Sequence, residues 1–162
     1  DGLYGMQIAY VEIDTLLAKY NYCIDLNEAM VKKGENVRLT LNQKASELEK
    51  QKQEFQTKYQ NNAYLSQERA QQEYNRIAKL EQDLQNLSNK LQSELMSENE
   101  KNSLQLRDSI NAFLKEYNKT KGYSMIISNT GFDNLLYADS VYNITREILD
   151  GLNAIYSSPV KK

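Results

Sequence analysis

The sequence predicts a mostly α-helical α+β fold: a long antiparallel helical hairpin on a small β-stranded base that ends in a C-terminal helix. Three observations lead there. The middle of the chain is crowded with Gln, Asn, Glu, Lys and Leu, and its apolar residues recur at spacings of three and four, the pattern of long paired helices rather than a compact core. Asn61–Ser66 is the only good turn candidate within roughly 100 residues. Short runs with strand character lie only before and after that stretch.

The first run, Gln7-Ile8-Ala9-Tyr10-Val11-Glu12-Ile13, is apolar on both faces and rich in β-branched and aromatic residues, so it reads as a buried strand. Asp14 and Thr15 then offer N-caps to a helix from about Thr15 to about Asn61. Leu16, Leu17, Tyr20, Ile24 and Met30 give its beginning a wide apolar face suited to packing on a base. Leu41, Ala45, Leu48, Lys52, Phe55 and Tyr59 form the seam of a hairpin further on. Gly34 should cost about 1 kcal/mol relative to Ala. It is read as a tolerated surface glycine, with a bending point as the alternative.

Ser66 can cap the returning helix, with Glu68 in its first turn. That helix runs to about Lys121 on a seam of Ala70, Tyr74, Ile77, Leu84, Leu91 and Leu95, continued by Leu106, Ile110, Phe113 and Tyr117. Gly122 supplies the C′ position, and Lys115, Lys119 and Lys121 sit near the negative end of the dipole. Arms of similar length, each roughly 70 Å at 1.5 Å per residue, cannot be a globular core and must project.

Strand character returns in Tyr123–Ser128, followed by a loop over Asn129–Asn134 and a third strand over Leu135–Ala138. A final amphipathic helix, from about Ser140 or Asn143 to Tyr156, puts Ile144, Ile148, Leu152 and Ile155 on one face, and Ser157–Lys162 reads as a tail. The base thus comprises 1–16 with 121–162 and the arm 17–120, with its tip near 61–66. Three strands bury too little apolar surface to be comfortable alone. Oligomerisation is therefore expected through Ile8, Tyr10, Val11, Ile13, Met125, Ile126, Ile127, Leu135, Leu136 and Tyr137.

Composition narrows the chemistry. The chain has no His, which removes the commonest general base and metal ligand, and a single Cys, Cys23, which reads as a small buried apolar residue. No glycine-rich phosphate loop occurs, and the arm carboxylates alternate with Lys as helix-surface pairs do, so no catalytic residue, metal or cofactor is expected. The Asn-x-Ser/Thr triplets beginning at Asn86, Asn118 and Asn143 fall on predicted helices and are attributed to chance. A net charge of −2 argues against nucleic acid as a partner. No run is apolar enough to span a bilayer, so no stable membrane insertion is expected. The chain starts at Asp1 rather than Met, which is compatible with an export signal already removed.

The twelve tyrosines are the most suggestive feature. Phe55, Tyr59, Tyr64, Leu65 and Tyr74 cluster near the predicted tip, where amphipathic rings could hold an unfolded apolar segment. Packing across the hairpin seam is the competing reading for the same rings. Tyr10, Tyr123 and Tyr137 are assigned to the base.

The layout resembles the Skp/OmpH family of periplasmic chaperones over nearly the whole chain. The specific parts are Ile8-Ala9-Tyr10-Val11-Glu12-Ile13 leading into Asp14-Thr15-Leu16-Leu17, and the closing series Tyr123-Ser124-Met125-Ile126-Ile127-Ser128, Leu136-Tyr137-Ala138 and Asn143-Ile144-Thr145. Thr40-Leu41-Asn42-Gln43-Lys44-Ala45 and Ser66-Gln67-Glu68-Arg69-Ala70 look most like the Bacteroidetes branch. The resemblance implies a homotrimer whose strands form a central barrel and whose helical tentacles enclose a cavity. It also implies an ATP-independent holdase for unfolded outer-membrane proteins, located in the periplasm. The well-known members are strongly basic, whereas this chain has a pI near 5.3. Lys50, Lys52, Lys58, Arg69, Arg76 and Lys79 at the predicted tip are nearly balanced by Glu47, Glu49, Glu54, Glu68 and Glu73, so electrostatic steering of clients or contact with anionic lipid is not carried over. The alternative is a structural coiled-coil spacer or adaptor for one dedicated folded partner, which would not need both chain ends returned to a β base. A prefoldin-like chaperone places its termini at the far ends of its arms, unlike this chain.

Overall fold

The computed structural model describes residues 5–131 and 134–157. In chain order the elements are β1 (Ile8–Val11), α1 (Ile13–Lys19), α2 (Asn21–Gln60), α3 (Gln67–Lys121), β2 (Met125–Ser128), a 3-10 turn at Ser140–Tyr142, and α4 (Thr145–Ile155). The chain divides into two units, Met30–Asn99 and the remainder, Asp1–Ala29 with Glu100–Lys162.

In the Met30–Asn99 unit the two long helices run back on each other as a hairpin. Leu48, Ala70 and Ile77 are buried along the seam, while Leu41, Phe55, Leu84, Leu91 and Leu95 are half-buried. Ala45, Tyr59 and Tyr74, expected in the seam, lie exposed. A lone helix pair has one layer of contact, so only residues on its midline are covered from both sides. The turn closes as expected at Asn61–Ser66. Asn62 takes φ 54°, a left-handed conformation that Asn tolerates. Ala63 N–H bonds Lys58 C=O at 2.9 Å and Asn62 N–H bonds Tyr59 C=O at 3.2 Å, a Schellman closure of α2. Ser66 Oγ accepts from Arg69 N–H at 3.2 Å and caps α3. Gly34 lies within unbroken helix, and a Cβ there would meet nothing within 4 Å.

In the other unit, β1 and β2 pair in parallel, Ile8 opposite Met125 and Val11 opposite Ser128. Parallel neighbours need a long crossover, here the entire helical hairpin. The expected third strand is absent: Leu135–Ala138 joins no sheet, with Leu136 87% and Tyr137 85% exposed. The far edge of β1 is taken instead by Asn143, bridged to Tyr10, with Ile144 N–H on Tyr10 C=O at 3.0 Å. That leaves Leu135–Ala138 no place beside β1.

The core of this unit gathers Ala9, Val11, Leu16, Tyr20, Cys23, Ile110, Ile144, Ile148 and Leu152. Burial pushes the Cys23 thiol above its ordinary pKa, as suits an apolar filler. Ile155, expected on the same face as Ile144, Ile148 and Leu152, is instead 74% exposed because α4 ends there. The first helix departs from expectation twice. It begins at Ile13 with Glu12, not Asp14 or Thr15, at the N-cap, and the Glu12 N–H is taken by Thr145 Oγ1 at 2.8 Å. It also breaks at Tyr20, whose extended backbone sends the ring into the core, 2% exposed. At the end of α3, Gly122 sits at φ 71° and the Asn118 amide bonds both backbone groups of Tyr123, at 2.7 and 2.9 Å.

Candidate functional site

Two surfaces bring the sequence-predicted residues together, one in each unit. At the end of the hairpin, Phe55 stands at the centre of a ring cluster, with centroids 5.9 Å from Tyr59, 5.7 Å from Tyr64 and 6.2 Å from Tyr74. The helices place Phe55 and Tyr59 four residues apart on one face of α2, and the turn folds Tyr64 back over them. Phe55 and Tyr64 are half-buried, while Tyr59, Tyr74 and Leu65 are 49%, 57% and 94% exposed. The cluster therefore divides: Phe55 and Tyr64 are partly covered, and Tyr59, Tyr74 and Leu65 stand open to solvent. Shallow grooves flank it, one of about 340 Å³ that includes Phe55, Tyr74 and Ile77 among its walls.

Part of the charge around this cluster is paired within the hairpin. Arg76 holds Glu73 through two bonds, at 2.6 and 3.1 Å, and reaches across the hairpin to Gln51 at 2.7 Å. The guanidinium keeps the Glu73 carboxyl below its ordinary pKa, and desolvation with the nearby Glu73 charge pushes the Tyr64 hydroxyl up. Lys52 pairs with Glu81 and Lys79 with Asp83, while Lys50, Lys58 and Arg69 make no ion pair among the described residues. These pairs lie in solvent, which screens them, so they add little to stability.

The second surface lies at the sheet. Of the ten residues expected there, Tyr10 and Val11 are buried within the unit, and Ile8, Ile13, Ile126, Ile127 and Leu135 are half-buried. Ile13 belongs to α1 rather than to a strand. Met125, Leu136 and Tyr137 are 46%, 87% and 85% exposed. Sequence reasoning missed Val141 and Tyr142, also exposed, because the 3-10 turn carrying them has no periodicity to read. Among the described residues β2 is an edge strand, paired on one side only. A polar network fixes the rear of this sheet: Asn143 Nδ2 donates to Glu12 Oε1 at 2.6 Å, and Asn143 Oδ1 accepts from Thr145 N–H at 3.0 Å. Asn143 is thereby committed to structure.

What these surfaces offer is apolar and aromatic contact. Among the described residues no three His, Cys, Asp or Glu side chains gather as a metal site, and no helix is long and apolar enough to cross a membrane.

A profile of the outer membrane protein (OmpH-like) family matches residues 7–152. Among solved structures, a protein of Caulobacter crescentus CB15 described as an OmpH-like outer membrane chaperone superposes with a TM-score of 0.82. It shares 11% identity, and the match covers 93% of this chain and 86% of that one. At that identity the likeness is one of fold. No curated protein matches the chain.

Proposed function

The chain belongs to the OmpH-like outer membrane protein family, and from that membership we propose that it is an ATP-independent holdase that keeps unfolded outer-membrane proteins from aggregating. The observation that carries the reading is the aromatic cluster at the hairpin end. Tyr59, Leu65 and Tyr74 remain outside a helix pair that is already closed and capped. Amphipathic rings on a semi-rigid support hold apolar segments at low entropic cost, and many weak contacts replace one tight site. Client contacts are assigned to Phe55, Tyr59, Tyr64, Leu65 and Tyr74.

The base is proposed to assemble the chain with copies of itself, as a homotrimer. Exposed Met125 on β2, with exposed Leu136 and Tyr137 in the segment that follows it, supports this, since an unpaired strand edge and exposed apolar side chains favour a partner. The proposed location is the periplasm, and the cycle needs no cofactor.

The test is dilution of a urea-unfolded outer-membrane β-barrel protein into buffer with and without this protein, followed by light scattering in the absence of nucleotide. Suppression at near-stoichiometric oligomer, with no binding to the folded barrel, is the expected result. Unchanged aggregation beside a folded oligomer would overturn the holdase reading and favour a spacer that serves one folded partner.

A further inference from the structure

The helix break at Tyr20 is not encoded locally. Residues 13–29 contain neither Gly nor Pro, so nothing in the run itself prevents one continuous helix. The break is held from outside. Tyr20 has φ −74° and ψ 115°, its hydroxyl lies 2.9 Å from Ser109 Oγ on α3, and its ring meets Tyr156 edge-on at 6.5 Å. Asn153 of α4 then enters the interrupted ladder. Its Oδ1 accepts from Asn21 N–H at 2.8 Å, and its Nδ2 donates to Lys19 C=O at 3.1 Å. In a continuous helix those two groups would bond Leu17 C=O and Cys23 N–H instead. One side-chain amide thus replaces two ladder partners. The amides of Tyr22 and Cys23 become first-turn groups with no intrahelical acceptor.

We infer that α1 and α2 meet in a two-state joint latched by Asn153: with α4 docked the helix is broken, and with the last turn of α4 withdrawn α1 and α2 fuse. The fused state gives up the burial of Tyr20, its hydrogen bond with Ser109 and the two Asn153 bonds. It recovers the ladder bonds from Asn21 to Leu17, Tyr22 to Ala18 and Cys23 to Lys19. Tyr156 completes the latch, donating its hydroxyl to Asp25 Oδ2 at 2.7 Å with its ring 5.0 Å from that of Tyr22. The two states differ in the direction that the first turns of α2 take from α1, so anything that competes for the end of α4 redirects those turns.

The test is amide hydrogen exchange by NMR on the full chain, comparing the parent with Asn153→Ala. A cap that merely ties off a fixed break would, once removed, leave Tyr22 and Cys23 exchanging as fast as before or faster. The joint predicts the opposite. Exchange at Tyr22 and Cys23 slows by at least about threefold, and the Tyr20 Cα shift moves from extended toward helical. Unchanged or faster exchange with an extended Tyr20 would overturn the inference. Should Asn153→Ala not fold, Tyr156→Phe, which removes only the bond to Asp25, is read the same way. Slowing at Tyr22 and Cys23 supports the joint, and its absence sinks it.

Discussion

Gly151 of α4 lies against the ring of Phe113 on α3, so closely that a Cβ built on it would stand 2.2 Å from the ring Cζ. Only a residue without a side chain permits that approach, and the two helices pack through it.

Substituting Gly151 by Ala should therefore destabilise the protein despite the better helix propensity of Ala. Propensity alone favours Ala by about 1 kcal/mol, while displacing a packed ring costs about 1–3 kcal/mol. A net loss of about 1 kcal/mol is expected. Gly34→Ala, with open space around its Cβ, should instead gain up to about 1 kcal/mol. Urea unfolding of both variants at one protein concentration checks the opposite signs, and a stabilising Gly151→Ala would show that the ring yields freely.

Glu147 gives the base a dependence on acid. Its carboxylate accepts from the Tyr117 hydroxyl at 2.7 Å and pairs with Lys121 at 3.2 Å, and the two hold it below the ordinary glutamate value of 4.5. A depressed folded-state pKa stabilises above the unfolded value and is lost as pH falls through the folded one. The Glu147 side chain is half exposed, so solvent screening keeps the effect small. Glu147→Gln should be less stable than the parent at pH 7, with the gap closing below about pH 4. Thermal unfolding at a series of pH values measures it, and a gap that stays constant into acid would show that the charge contributes nothing.

At the hairpin end, support and contact should separate. Leu65→Ser and Tyr74→Ser are expected to shift stability by no more than about 0.5 kcal/mol, because both side chains are largely in solvent. Each should weaken binding of an unfolded barrel protein several-fold. Phe55→Ala should cost the hairpin about 2 kcal/mol, less than a fully buried Phe would because the ring is half-covered. Binding titrations paired with denaturation distinguish the roles, and unaltered affinity in the double variant Leu65→Ser/Tyr74→Ser would remove the cluster from the client site.

In the segment after β2, Leu136→Glu or Tyr137→Glu should shift the protein toward monomer, since each would place a charge in the proposed apolar contact. Sedimentation velocity reads the outcome, and oligomers unchanged in both variants would move the self-association surface elsewhere.

Much of this architecture could be read from residue patterns because its determinants are local. Asn61–Ser66, the Ser66 cap and the Gly122 terminus each rest on side chains within a few positions of the backbone they serve. The Tyr20 break escaped detection because its cause, Asn153, lies more than a hundred residues away. Leu135–Ala138 has strand composition but no free place beside β1, and composition cannot report that Asn143 got there first. The aromatic cluster was legible as a group of rings near a turn. Which rings it buries and which it exposes depends on how the hairpin rolls about its seam, and a seven-residue pattern leaves that angle loose.

The parallel register of Ile8 with Met125 also dictates an order of events. β1 is separated from β2 by the whole hairpin, so it finds no mate until the hairpin has brought β2 back to it. Helices and their turn form from neighbours within microseconds, whereas closing a loop of that length is the slow, entropically costly step. The arm therefore precedes the base, and for that interval β1 remains an unmated apolar strand. A protein proposed to shield others from aggregation passes through a stage in which its own first strand needs the same shelter.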